Sequence, residues 1–219
     1  MRILIVSDLH GDLNAADRAI ANLRPDLLLC CGDWGDADQV AEPALTELLE
    51  VVPIYTTFGN HDPLELLARL RNRDGSAVLL EQGQVHEYGG LRVAAIGGIW
   101  AKSHAKPHYV TDADVAAAAA LIARSGSVDI LLTHACPIGL ADLTPTRRHG
   151  GQRCFLDAFK VISPRLHLCG HLHVAQERAL KDGQKVINVG ATPEGSIVVV
   201  DFDPKQKTLE AKLEHMPTP

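Results

Sequence analysis

Five short segments carry the residue types that ligate transition metals and move protons. They are Asp8-Leu9-His10, Gly32-Asp33-Trp34-Gly35-Asp36, Gly59-Asn60-His61-Asp62, Thr133-His134 and Gly170-His171-Leu172-His173. Each follows an apolar stretch that reads as a buried strand. Loops leaving the carboxyl ends of strands in an open α/β sheet can meet in one crevice, although they lie far apart in the chain. Imidazole mixed with carboxylate suits Mn, Fe, Zn, Co or Ni better than Ca or Mg, which prefer oxygen shells. The chemistry such a crevice would support is that of a two-metal hydrolytic centre. Two divalent cations about 3.5–4 Å apart lower the pKa of a shared water and clamp the attacking and leaving oxygens.

The elements that must position these loops follow from the apolar pattern. Ile3–Val6, Asp26–Cys31 and Val51–Phe58 read as strands. Helices are expected at Asp12–Asn22, Ala37–Glu50 and Pro63–Arg71, the last with proline in its first turn. Strand and helix alternate through this opening third, which predicts parallel strands joined by crossovers. Gln84–Tyr88 and Leu91–Ile96 flank Gly89-Gly90, a hairpin signal. Thr111–Arg124 is a strong helix signal, with an alanine run and Thr111 and Asp114 spaced for a capping box. Asp129–Leu132 and Arg165–Leu168 read as strands, with a helix near Cys154–Ile162 between them. Val186–Val189, Ser196–Asp203 and Thr208–Leu213 read as closing antiparallel strands. The expected fold is α/β (α+β), a four-layer αββα sandwich of two mixed sheets flanked by helices, forming one domain over residues 1–219.

Composition narrows the partners. The chain has 219 residues, 46% hydrophobic and 22% charged, with a net charge of −6. No strong basic field draws nucleic acid to it, and 4% aromatics leave little for base stacking. The five cysteines are odd in number and show no thiolate zinc spacing, so buried reduced thiols are expected. Met1–Val6 is too short for a signal-peptide core, and no apolar run reaches the roughly 20 residues of a membrane span. A cytoplasmic location is the expectation.

Taken together and in order, the five segments resemble the signature of the calcineurin-like metallophosphoesterase superfamily. The resemblance covers residues 1 to about 195 and implies a definite site. One metal would be held by Asp8, His10, Asp33 and His173, the other by Asp33, Asn60, His134 and His171. Asp33 would bridge them, and Mn²⁺ is the metal the resemblance suggests. A bridging hydroxide would then attack the phosphorus. His61 would contact the phosphate or leaving group as the catalytic imidazole, and Asp62 would orient it. Asp36 reads either as an outer support of the site or as an N-cap for the helix over 37–50. The fourth segment departs from the family pattern at Cys136, where proline is common. Cys136 is a packing residue or a thiol beside the metals.

The surroundings leave alternatives open. Arg147 and Arg148 lie on a Gly- and Pro-containing loop, Asp142–Arg153, and read as phosphate-binding forks or as a solvated basic loop. The longer stretch from Asp142 to His173 resembles a subgroup of small phosphodiesterases that includes cyclic-nucleotide enzymes. Residues 100–109 read as a lid or a surface connection, and His104 and His108 are not expected ligands. Trp34 is a core residue or a rim against a substrate base. The expected substrate is a small phosphorylated molecule, nucleotides among the candidates, more suited to diester than monoester hydrolysis. Protein phosphatase, nuclease and non-catalytic scaffold are the competing functions.

Overall fold

In strands buried on both faces, side chains alternate between two apolar environments and the sequence shows unbroken apolar runs. A computed structural model describes residues 1–217, so the last two residues of the expected domain lie outside the described residues. In its first strand, β1 (Arg2–Val6), Ile3 and Ile5 face the second sheet while Leu4 and Val6 face helices. The same alternation runs through β2 (Leu27–Cys30) and β3 (Ile54–Thr56), which extend β1 in parallel. Helices α1 (Leu13–Leu23), α2 (Glu42–Val51) and α3 (Leu64–Arg69) link or follow these strands.

The second sheet begins with the hairpin β4 (Val85–Tyr88) and β5 (Leu91–Ile96). After the short parallel pair β6 (Ile99–Trp100) and β7 (Tyr109–Val110) comes α4 (Asp112–Arg124), whose Thr111 and Asp114 form the expected capping box. Strands β8 (Ile130–Thr133) and β9 (Leu166–Cys169) flank α5 (Arg153–Ile162) and run parallel to β5. Strands β10 (Gln176–Ala179) and β11 (Lys185–Asn188) complete this sheet, in the order β10-β11-β9-β8-β5-β4. A 3-10 turn, Thr192–Glu194, leads to β12 (Ser196–Asp203) and β13 (Thr208–His215). These return to the first sheet, ordered β13-β12-β1-β2-β3. Leu91, Val93, Ile130, Leu132, Leu166 and Leu168 meet Ile3, Ile5, Leu27, Leu29 and Phe202 between the sheets. Ala94, Ile96 and Leu131 turn outward to α4 and α5. The expected αββα sandwich of two mixed sheets is what the structure shows. Among the described residues no helix is long and apolar enough to cross a membrane.

Three expectations need correction. The helix expected over 37–50 starts at Glu42, because residues 36–40 form a turn in which Gln39 N donates to Asp36 O (2.8 Å) and Pro43 sets the first helical turn. The strand expected over 51–58 shrinks to Ile54–Thr56, since Val51 closes α2 and residues 57–59 already belong to a site loop. Strand β11 pairs parallel with β9 and antiparallel with β10, so the closing segment is not wholly antiparallel.

His167 on β9 supports the site from below. Thr133 Oγ1 donates to Ala135 O (2.7 Å), so it accepts from His167 Nε2–H (2.8 Å). The ring stacks on Phe159, and Nδ1 is buried without a partner. Burial pulls the His167 pKa down to about 3. An unfolded histidine titrates near 6.5. The folded chain therefore refuses a proton that the unfolded chain accepts, and stability is lost as pH falls from about 6.5 toward 3. Urea unfolding of chelator-treated protein should show this. Between about pH 7 and 5.5, wild type should lose about 1 kcal/mol more stability than His167→Gln. Equal losses would contradict it.

Candidate metal centre

Asp8 follows β1, Asp33 follows β2, Asn60 follows β3, His134 follows β8 and His171 follows β9, so all five loops leave the same ends of parallel strands. The loops are knitted together by the backbone. Leu9 N and His10 N donate to Asp33 O (2.8 and 3.1 Å), Gly35 N donates to His61 O (2.9 Å), and Gly170 N donates to His134 O (3.0 Å). Asp8, His10, Asp33, His171 and His173 all have left-handed backbones, with φ between 45° and 71°. Non-glycine residues in this region are uncommon and strained, and they concentrate at functional sites. Two glycines permit the close approach. A Cβ on Gly59 would strike Asp33 Oδ1 and the His134 ring, and one on Gly170 would strike Ser7 Oγ and Asp8.

Six side chains form two triads of donor atoms, each within 4.8 Å of one another: Asp8, His10 and His173, and Asp33, His134 and His171. Asp33 Oδ2 stands between them, 3.8 Å from His10 Nε2 and 3.3 Å from His134 Nε2. The seventh predicted ligand, Asn60, has a buried Oδ1 with no hydrogen-bond partner, and His134 Nε2 is likewise orphaned despite its closeness to Asp33. Orphaned buried acceptors are costly unless something else fills their lone pairs. A divalent cation would do so, and the mixed imidazole, carboxylate and amide donors fit one.

Outer partners set the ligands. His134 Nδ1–H donates to Cys31 O (3.0 Å), which leaves Nε2 as the donor atom for a metal. Ser7 Oγ donates to Asp8 Oδ2 (2.7 Å), and His171 N donates to the same carboxylate (3.0 Å). Burial would pull His134 down, but the Asp33 carboxylate 3.3 Å from Nε2, with the charges of Asp8 and Asp62, raises it to about 9. Burial opposes ionisation of Asp33, yet His134, the His61 N–H and His10 hold its carboxyl well below the usual range. Burial, reinforced by His134, lowers His171 to about 4, so that ring is a neutral ligand-ready imidazole.

The structure brings His61 to the edge of the first triad, its ring 5.2 Å from that of His10. It is Asp36, not Asp62, that touches the His61 ring, with both carboxylate oxygens 3.1–3.2 Å from Nδ1. Asp36 caps no helix over 37–50, since α2 begins later. Asp62 is buried and ties the loops instead, accepting from Gly59 N (2.6 Å), Asp33 N and Trp34 N (both 2.8 Å). Burial pushes its carboxyl up to about 7 against those three donors.

Trp34 is wholly buried and its Nε1 donates to Thr56 Oγ1 (2.9 Å), so it belongs to the core. Cys136 lies behind the fifth loop. Its thiol donates to Gly170 O (3.1 Å) and accepts from Asn188 Nδ2 (3.1 Å), a packing role. Arg147 and Arg148 sit on a tight turn closed by Thr144 N to Arg148 O (2.8 Å), and neither guanidinium hydrogen-bonds to the ligand cluster. His104 pairs with Asp114 and His108 Nε2 donates to Asp62 O (2.8 Å), which pins the 100–109 segment beside His61. Sequence reasoning did not find Ser7 or the Cys31 carbonyl. Only Ser7, adjacent to Asp8, left a trace in the sequence.

Comparison with known proteins agrees with this geometry. The model of the calcineurin-like phosphoesterase family matches residues 1–175. A lariat debranching enzyme from Arabidopsis thaliana is 28% identical over 185 residues, which cover 65% of this chain and 44% of that protein. The chain thus spans less than half the length of that relative. A protein of unassigned function from Methanocaldococcus jannaschii is 24% identical over 204 residues, covering 90% of this chain and 91% of that one. The fold matches a crystal structure of a Thermus thermophilus protein at TM-score 0.71 (16% identity, 96% and 97% coverage). It also matches a dimetal phosphatase from Danio rerio at 0.63 (14% identity, 91% and 92% coverage). The chain belongs to the calcineurin-like phosphoesterase family.

Titration of Mn²⁺ into chelator-treated protein, followed by calorimetry, should give two equivalents bound per chain. Asp33→Ala, checked for folding by circular dichroism, should bind fewer than one, because the second triad loses its carboxylate and the first loses the oxygen that stands beside His10. Two equivalents on the variant would show that the aspartate is not shared.

Proposed function

We propose that this protein is a dinuclear metal-dependent phosphodiesterase acting on small substrates, with Mn²⁺ as a competent metal and the cytoplasm as its place of action. The observation that carries the reading is Asp33 Oδ2 lying between two ligand triads. Asp8, His10, Asp33 and His173 would hold one cation, and Asp33, Asn60, His134 and His171 the other. Bound there, the two cations would acidify water and draw charge from the phosphoryl group.

The protein's own groups supply the rest. His61 is anchored through its N–H to Asp33 Oδ1 (2.7 Å), which fixes the loop that carries the imidazole. Its Nδ1–H donates to Asp36 and leaves Nε2 for the substrate. A protonated ring, steadied by Asp36, can donate to the departing oxygen or stabilise negative charge on the phosphoryl group. Charge around the site favours a diester. A diester is a monoanion, whereas a monoester at neutral pH approaches a dianion and calls for more cations. Asp36 is an exposed carboxylate beside His61, and Arg147 and Arg148 make no contact with the cluster.

Hydrolysis of bis(4-nitrophenyl) phosphate with Mn²⁺ should exceed that of 4-nitrophenyl phosphate in kcat/KM and vanish with chelator. His61→Ala should lower kcat by about 10²–10⁴ while metal content by mass spectrometry stays at wild-type level. Asp36→Asn should lower kcat less, by about tenfold, with the same metal content. Faster monoester turnover would redirect the reading to a phosphatase, and loss of metal from His61→Ala would make that residue a ligand.

A further inference from the structure

A cleft of about 760 Å³ adjoins the metal centre, lined by His171 and His173 together with Pro145, Glu194, Ser196 and His215. Its volume is that of a small-molecule site. The wall is fixed to the site loops. Glu194 ends the 3-10 turn whose Thr192 N donates to Ser7 O, while Ser7 N donates to Thr192 Oγ1 (both 3.0 Å). Ser7 precedes Asp8, so these two hydrogen bonds tie the turn to the loop that carries Asp8. His215 stands opposite Ser196 in the β12–β13 ladder, and its ring lies against Gly195, where a Cβ would approach Cε1 to 2.9 Å. Met216 N donates to Gly195 O (2.8 Å) and closes this corner.

Glu194 and His215 are both exposed, and neither side chain hydrogen-bonds to a described residue. A carboxylate accepts hydrogen bonds and donates none when ionised, and it repels anions. Held beside a phosphoryl site, it suits a neutral arm with hydroxyl donors and disfavours an arm bearing further phosphates. A few fixed polar groups on a cleft wall are what orients a small ligand. We propose that Glu194 is a specificity-determining residue: it accepts hydrogen bonds from the hydroxyls of the ester's organic arm, a ribose-type diol, with the His215 ring on Gly195 as the flat flank of that subsite. The assignment rests on the phosphoesterase reading above and names its substrate class as esters of nucleosides or similar polyols.

Two esters that release the same 4-nitrophenolate separate the subsite from the chemistry: bis(4-nitrophenyl) phosphate and the 4-nitrophenyl ester of uridine 5′-phosphate. Glu194→Gln and Glu194→Ala should each lower the ratio of kcat/KM for the uridine ester over the aryl ester by about tenfold, mostly through KM. That is the loss expected of one hydrogen bond to a charged group. A readout without turnover accompanies it. Uridine added to chelator-treated protein should shift the Gly195 and Ser196 amide signals, and Glu194→Ala should weaken that binding about tenfold. An unchanged ratio, or uridine binding that Glu194→Ala leaves intact, would overturn the assignment. Absence of uridine shifts in wild type would also overturn it. Uridine binding through Glu194 in a protein that hydrolyses neither ester would uphold the subsite and remove the phosphodiesterase reading.

Discussion

Three carboxylates, Asp8, Asp33 and Asp62, are buried where the site loops meet. Taking a carboxylate out of water costs several kcal/mol unless charge and hydrogen bonds compensate it. The fold compensates each differently. Asp62 takes three backbone N–H groups and becomes a clamp between two loops. Asp8 takes a hydroxyl and a backbone N–H. Asp33 takes a single side-chain-directed N–H, from His61, on Oδ1, and its Oδ2 is left among imidazoles. That oxygen is where positive charge must come from outside the backbone. The elevated His134, about 9, is the same demand expressed as proton affinity. Cations binding there would meet it more fully than a proton does.

The rest of the fold makes that arrangement rigid. Apolar side chains on both faces of the strands lock the two sheets together and fix the relative positions of their ends. Left-handed backbones at Asp8, His10, Asp33, His171 and His173 let short loops present donors inward. The strain is held by the hydrogen bonds that cross between loops and by glycines 59 and 170, whose missing side chains leave room for ligands. Beneath the ligands, Thr133 and His167 link β8 to β9, while Cys136 and Asn188 tie the loop after β8 to β11 and to Gly170.

Much of this was legible in the sequence because each candidate metal donor lies on the loop directly after its strand. The loops are short, so adjacency in the chain fixes position in space, and the six clustered donors come from four of the five segments read in the sequence. The two-sheet sandwich was legible from apolar runs too continuous for one-sided strands. What the sequence hid involves distant or backbone partners. Asp36 meets His61 across 25 residues, and nothing local distinguishes it from a helix cap. Asp62 looked like a partner for its neighbour His61, but its side chain turns to backbone amides that carry no sequence signal. Thr192 meets Ser7 across 185 residues. Strand β10, with Gln176, Glu177 and Arg178 mostly exposed at a sheet edge, lacks the apolar alternation by which strands are recognised.

The most direct test of a shared aspartate is the magnetic coupling of the ions it joins. Electron paramagnetic resonance of the protein loaded with two equivalents of Mn²⁺ should show the multiline spectrum of an exchange-coupled pair. Asp33→Ala should abolish it. Two independent six-line signals from the wild-type protein would mean that the metals are not bridged, and the role given to Asp33 would be wrong.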